Sequence, residues 1–233
     1  MAEERNSYGQ PIGPALDGWS KRRLPPLTSM IGRYCRLERL DADRHAAQLY
    51  AAYAEAPDGR DWTYMSVGPF ANLAEYVDYA RIAATSLDPL HHVVIDSSTD
   101  RPVGTAALMR IDPDNGVIEL GAIAYSPSLQ RTKAGTEAIF LLMRRVFDEL
   151  GYRRCEWKCD SLNGPSRRAA ERYGFQYEGV FRQAMVYKGR NRDTAWFSIT
   201  DRDWPTIGRA FEQWLAPNNF GPDGLQRRPL SAK

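Results

Sequence analysis

The feature that most constrains this chain is a change of hydrophobic period at residues 117–150. Val117 to Tyr125 alternates as a strand. Beyond Ser128, Gly135, Ile139, Leu142, Val146 and Leu150 fall four, three, four and four apart. That spacing predicts an amphipathic helix ending before Gly151, with Arg144, Arg145, Asp148 and Glu149 on its other face. A strand running directly into such a helix leads to a crossover and a parallel neighbour. Cys155, Trp157 and Cys159 alternate next and supply that neighbour.

Upstream, His91 to Asp96 and Val103 to Ile111 precede the Val117 strand, with turn clusters at Ser97-Ser98-Thr99-Asp100 and Pro113-Asp114-Asn115-Gly116. They read as an antiparallel meander. Before them come a strand at Tyr34 to Leu40, a helix capped by Asp43 and running to Ala56, and a helix over Asn72 to Thr85. Asn163-Gly164-Pro165 opens a further helix that Gly174 closes. Tyr177 to Tyr187 and Thr194 to Thr200 complete the strands, and Trp204-Pro205 ends the ordered domain. Residues 1–33, broken by Gly9, Pro11, Gly13, Pro14, Gly18, Pro25 and Pro26, form an arm. The domain spans 34–204, and a short helix and tail fill 205–233. The 233 residues suffice for one α/β domain with a sizeable core.

No apolar run spans a bilayer and no signal peptide is visible, so a cytoplasmic protein without membrane contact is expected. The cysteines Cys35, Cys155 and Cys159 read as reduced and packed. His45, His91 and His92 lack metal-site spacing, so no metal is expected. Residues 131–200 carry 14 basic and 8 acidic side chains, against 17 and 21 in the rest of the chain. That asymmetry suits a phosphate-bearing ligand. The aromatics do not interleave with a basic stripe, which argues against nucleic acid.

The junction Tyr125 to Ala138 carries the chemistry. Amides at a helix start lack intrahelical acceptors and sit at the positive end of the dipole, so a diphosphate fits there. Arg131 and Lys133 add charge, and Gly135 permits close approach. Solvated basic residues on an ordinary strand-loop-helix are the alternative.

Gln130-x-x-x-x-Gly135 resembles the Q/R-x-x-G-x-G/A loop of the GCN5-related N-acetyltransferases (GNAT superfamily), with Lys133 where the first Gly usually stands. Asn163-x-x-Ser166, Tyr173-Gly174-Phe175 and Glu178-Gly179 resemble the RimJ/RimL type, which acetylates ribosomal-protein N-termini. The resemblance implies the GNAT fold: a mostly antiparallel twisted sheet with one splayed parallel pair and helices on both faces. It implies acetyl-coenzyme A as co-substrate, held by Ile123, Ala124 and Tyr125 along the strand and by Gln130, Arg131, Thr132, Lys133, Ala134, Gly135 and Thr136 at the loop. Asn163 and Ser166 would meet the pantetheine from the other side; a plain helix cap is the alternative for Asn163.

Acyl transfer to nitrogen needs a neutral amine, whereas lysine amines titrate near pH ~10 and α-amines near ~8. Glu119, eleven residues before Gln130, is the candidate general base; a solvent-facing or Arg-paired carboxylate is the alternative. Many relatives protonate the departing thiolate with a Tyr at the position held here by Ala170. Ser166 is the substitute, ahead of Tyr173 and Tyr125. Trp62 and Tyr64 before the second helix, and Trp196 in the last strand, are candidate acceptor contacts. Lys188 to Asp193 reads as a solvated hairpin. The acceptor is a primary amine on a peptide N-terminus or a small molecule. Other acyl donors such as succinyl-coenzyme A, a non-catalytic acyl-coenzyme A sensor and a homodimer stay open.

Overall fold

The computed structural model describes residues 4–231. Strands β1 (Glu4–Arg5) and β2 (Pro11–Ile12) form a separate ribbon. The main sheet comprises β3 (Met30–Ile31), β4 (Cys35–Arg39), β5 (Leu90–Asp96), β6 (Arg101–Asp112), β7 (Val117–Tyr125), β8 (Arg154–Asp160), β9 (Gln176–Tyr187) and β10 (Arg190–Thr200). Its order is β3-β4-β5-β6-β7-β8-β10-β9. Every pair is antiparallel except β7 and β8, which run parallel from Val117 opposite Arg154 to Leu120 opposite Trp157. The mostly antiparallel sheet with one parallel pair is as expected; a second crossover, through α4, carries the chain from β8 past β10 to the edge strand β9.

Alternation along the strands divides the core. Val93 and Ile95 face α1 (Ala42–Tyr53) and α2 (Leu73–Thr85), packing with Leu49, Tyr76 and Ala80. On the other face Val94, Ile118, Leu120, Trp157 and Phe197 pack with α3 (Lys133–Arg144), α4 (Gly164–Arg172) and α5 (Trp204–Leu215).

Four expectations are corrected. Asp41, rather than Asp43, caps α1 by accepting from the Arg44 amide at 3.1 Å, and α1 ends at Tyr53 instead of Ala56. The α3 pattern widens into a π turn over Arg145–Glu149, where Arg145 is buried instead of facing solvent. Its guanidinium donates to the carbonyls of Pro26, Thr28 and Ser29, docking the arm on that face. The arm also yields β3, paired with β4. Finally, Trp204 opens α5 instead of closing the domain. Trp204, Ile207, Phe211, Trp214 and Leu215 are buried, and the Trp204 and Phe211 rings stack on Phe140 and Phe147 of the α3 region. Each such side chain contributes roughly 1.5–3 kcal/mol by burial, so α5 belongs to the core. The expectations for residues 1–3 and 232–233 lie outside the described residues.

Candidate active site

Strand β7 carries a bulge where Thr105 and Ala107 of β6 oppose Ala124 and Gly121. The extra residue is Ala122, whose φ of 47° lies in the left-handed region. Just before it, at Leu120 and Trp157, the parallel pairing with β8 stops. Residues Ile118 to Leu120 are fully buried, whereas Gly121 to Tyr125 are half-buried although their strand is central in the sheet. The two strands have parted, and a crevice opens along Ile123, Ala124 and Tyr125.

The crevice leads to the first turn of α3. Thr132 caps that helix: its Oγ1 accepts from the Gly135 amide at 3.0 Å and donates to the Leu129 carbonyl at 2.7 Å. The amides of Lys133 and Ala134 have no acceptor among the described residues. Arg131, exposed at φ 60°, turns the loop into the cap. A Cβ on Gly135 would stand 2.8 Å from the Leu129 carbonyl oxygen and 3.1 Å from the Tyr125 ring. The Tyr125 hydroxyl donates to the Gly135 carbonyl at 2.9 Å, and Thr136 accepts from Arg172 at 3.2 Å. Two free amides at a positive helix end beside a residue without a side chain fit a diphosphate.

Two loop side chains also make contacts within the protein. The Lys133 ammonium lies 4.9 Å from the Tyr34 ring and 4.8 Å from the Phe220 ring, so it anchors the arm and tail. Gln130 donates to Tyr125 O at 3.0 Å and to Asp61 Oδ2 at 2.9 Å, tying the loop to the segment between α1 and α2.

Glu119 lies on the face shared with α1 and α2, opposite Met109 and Glu156. It is 5% exposed. Lys158 Nζ and Arg110 Nε each stand 3.1 Å from its Oε2. Lys158 also contacts Glu156 Oε2 at 2.6 Å and lies 3.8 Å from the Trp196 ring centre. Burial raises the Glu119 carboxyl above its ordinary value; the Lys158 and Arg110 charges oppose that rise and Glu156 reinforces it. The solvent-facing alternative for Glu119 is thereby excluded, while the Arg-paired one is present together with burial.

On the opposite face, Asn163 caps α4 by accepting from the Ser166 amide at 3.1 Å. Its carboxamide N–H₂ makes no hydrogen bond among the described residues. The Ser166 hydroxyl accepts from Trp157 Nε1 at 3.0 Å, so its own proton points elsewhere, with the Cys159 thiol also within its reach. Ala170 is fully buried in the core. Glu119 and Ser166 thus flank the parted strands from opposite sides.

The three residues expected to contact the acceptor sit among other aromatic rings. Trp196 lies tilted against Phe181 with ring centres 4.4 Å apart on the Glu119 face, whereas neighbouring Phe197 is fully buried in the core. Trp62 packs edge-on against Tyr53 and Phe70, each at 5.3 Å, and Tyr64 is half-buried in the same loop. Lys188, exposed in the hairpin turn as expected, also donates to the Trp62 carbonyl at 2.7 Å, joining the β9-β10 hairpin to that loop. Among the described residues no cluster of three or more His, Cys, Asp or Glu could hold a metal.

Sequence reasoning missed Lys158, Glu156 and Arg110. The signal was available in part: Glu156, Lys158 and Asp160 alternate with Cys155, Trp157 and Cys159 in a strand flanked on both sides. A charged face on a central strand marks a site rather than solvent.

Residues 35–176 match the GNAT acetyltransferase domain. The chain belongs to this family of acetyltransferases, whose general reaction is acyl transfer using acetyl-coenzyme A. A GCN5-related N-acetyltransferase of Brucella melitensis is 50% identical and superposes with a TM-score of 0.91, covering 92% of this chain and 97% of its own. The uncharacterized N-acetyltransferase p20 of Bacillus licheniformis is 30% identical over 146 residues, 60% of this chain and 80% of its own length. A structure described as a putative ribosomal-protein-serine acetyltransferase from Vibrio cholerae shares the fold at TM-score 0.65 and 21% identity, over 76% of this chain and 99% of its own. No helix among the described residues is long and apolar enough to cross a membrane.

Proposed function

We propose that this chain transfers an acetyl group from acetyl-coenzyme A directly to a primary amine, with Glu119 as general base. The observation that carries this reading is the buried carboxylate of Glu119 at the closed end of the β7-β8 crevice, whose open end meets the free amides of Lys133 and Ala134. A diphosphate on those amides directs the pantetheine along Ile123 to Tyr125. The thioester then lies between Glu119 on one face and Ser166 on the other.

The bound amine loses a proton to Glu119, directly or through one water, and its lone pair attacks the thioester carbon. Burial supports this role because it brings the carboxyl towards the working pH. An amide of the bulged strand near Ile123 or Ala124 supplies the donor for the developing oxyanion. As the carbon-sulfur bond breaks, the proton shed by the now cationic nitrogen passes through the Ser166 hydroxyl to the departing sulfur, so the serine ends the step protonated and the products are the amide and the free thiol. No acyl-enzyme is required, since the three cysteines are buried and burial raises each thiol.

Trp62, Tyr64 and Trp196 form the acceptor walls, and their π faces suit a cationic amine before it is deprotonated. A ribosomal-protein N-terminus agrees with the RimJ/RimL-like motifs and with the activity ascribed to the Vibrio cholerae protein. Thiol release measured across peptide N-termini, polyamines and aminoglycosides, with acetyl- and succinyl-coenzyme A as donors, tests the reading. Acetyl-dependent release with at least one amine is expected. Binding of acetyl-coenzyme A without turnover on any amine would favour a sensor instead.

A further inference from the structure

A second cleft lies on the other side of the sheet, between α5 and the C-terminal segment 216–231. Its volume is about 810 Å³, and no acidic residue lines it. It is lined by buried Trp214 and Asn219 and by exposed Gln213, Asn218, Arg227 and Arg228. Both arginines are exposed, and neither guanidinium makes a hydrogen bond or ion pair among the described residues.

Their backbone is nevertheless fixed. Asn219, buried, donates from Nδ2 to the carbonyls of Trp214 at 2.9 Å and Arg228 at 3.2 Å, and accepts the Arg228 amide at 3.0 Å. The Arg227 amide donates to Asn219 O at 2.6 Å. These bonds use backbone atoms of the two arginines, so the side chains are free while their attachment is rigid.

Two independent bridges connect the Trp214 wall to the first turn of α3. Arg172 donates to Thr136 Oγ1 and its guanidinium lies 5.0 Å from the Trp214 ring. The Phe220 ring packs edge-on against Trp214 at 5.1 Å and carries the Lys133 ammonium at 4.8 Å. The cleft therefore adjoins the turn whose free amides fit a diphosphate. In coenzyme A the group adjoining that diphosphate is a ribose bearing a phosphate monoester, a dianion near neutral pH.

We propose that this cleft receives the 3′-phosphate of coenzyme A, with Arg227 and Arg228 as its cationic groups. The inference rests on the reading that the chain binds acetyl-coenzyme A. It adds a specificity element: the enzyme selects the 3′-phosphorylated carrier over its dephosphorylated form. Guanidinium groups suit a phosphate monoester because their paired N–H donors match its oxygens.

Calorimetric titration at low ionic strength tests this, with coenzyme A and 3′-dephospho-coenzyme A as probes. The unaltered protein is expected to prefer coenzyme A. The double variant Arg227→Gln, Arg228→Gln is expected to lose about tenfold in affinity for coenzyme A, as for ~1.4 kcal/mol of charged contacts, while its affinity for the dephosphorylated form stays the same. Equal weakening for both probes, or none for either, overturns the proposal. If the double variant fails to fold, the two single Gln variants carry the same comparison. Absence of affinity for both probes in the unaltered protein would instead remove the acetyl-coenzyme A reading on which the proposal stands.

Discussion

Lys158 Nζ stands 3.1 Å from Glu119 Oε2 and 2.6 Å from Glu156 Oε2, so one buried ammonium is shared by carboxylates of two parallel strands. A base paired this closely with a cation titrates according to its partner. Replacing Lys158 by Met keeps the alkyl stem and removes the charge that opposes the burial-driven rise at Glu119. The Glu119 carboxyl then rises further, and a larger fraction is protonated and inactive at a given pH. The acidic limb of the kcat/KM profile is expected to move up by about one pH unit, and Lys158→Arg to restore it. A lowered rate with an unmoved limb would mean that Lys158 only supports packing.

Gly135 gives a prediction of reversed sign. At an ordinary helical position, Gly→Ala gains roughly 0.5–1 kcal/mol. Here the added Cβ meets the Leu129 carbonyl oxygen at 2.8 Å and the Tyr125 ring at 3.1 Å. Gly135→Ala is expected to cost about 1–3 kcal/mol in urea unfolding and to weaken acetyl-coenzyme A binding. A stabilised variant with undiminished binding would contradict this account of the loop.

Glu137 illustrates how much the sequence hid. It reads as one polar residue in an amphipathic helix, yet its carboxylate is buried and accepts the amides of Arg33, Tyr34 and Cys35 at 2.9, 2.6 and 2.8 Å. Three consecutive donors around one carboxylate fix the entry of β4. Glu137→Gln places an N–H₂ against those donors, and a loss of about 2–4 kcal/mol in unfolding free energy is expected. An unchanged urea midpoint would remove Glu137 from that role.

Lys188 joins the hairpin to Trp62 through one charged hydrogen bond. Lys188→Ala is expected to speed amide exchange in residues 54–72 and to raise KM for whichever amine the donor assay identifies, leaving acetyl-coenzyme A affinity intact. Unaltered exchange in that segment would show that the loop stands without the bridge.

The order of strands and helices was legible because alternation and 3.6-residue spacing reflect burial on one face. Asn163 was legible as a cap because Asn before Gly-Pro suits a helix start. What escaped reading depends on distant segments. Arg145 looks solvent-facing until the arm supplies carbonyls to it, and nothing in the loop motif shows that Tyr34 and Phe220 bracket the Lys133 ammonium. The α5 residues fall at helical spacing after Pro205, but only the packing against Phe140 and Phe147 makes them core. Glu119 was selected by a spacing borrowed from relatives. Its burial followed from strand alternation, whereas Lys158 and Arg110 came from neighbouring strands whose register the sequence does not encode.

The central claim is that Glu119 removes the proton from the amine at the closed end of the crevice. Glu119→Gln preserves the side chain's size and removes its basicity, so the decisive measurement is thiol release beside acetyl-coenzyme A affinity in the same preparation. Turnover is expected to fall by about 10²–10⁴-fold while the affinity stays within about twofold of the unaltered protein. Undiminished turnover at saturating amine would contradict the account.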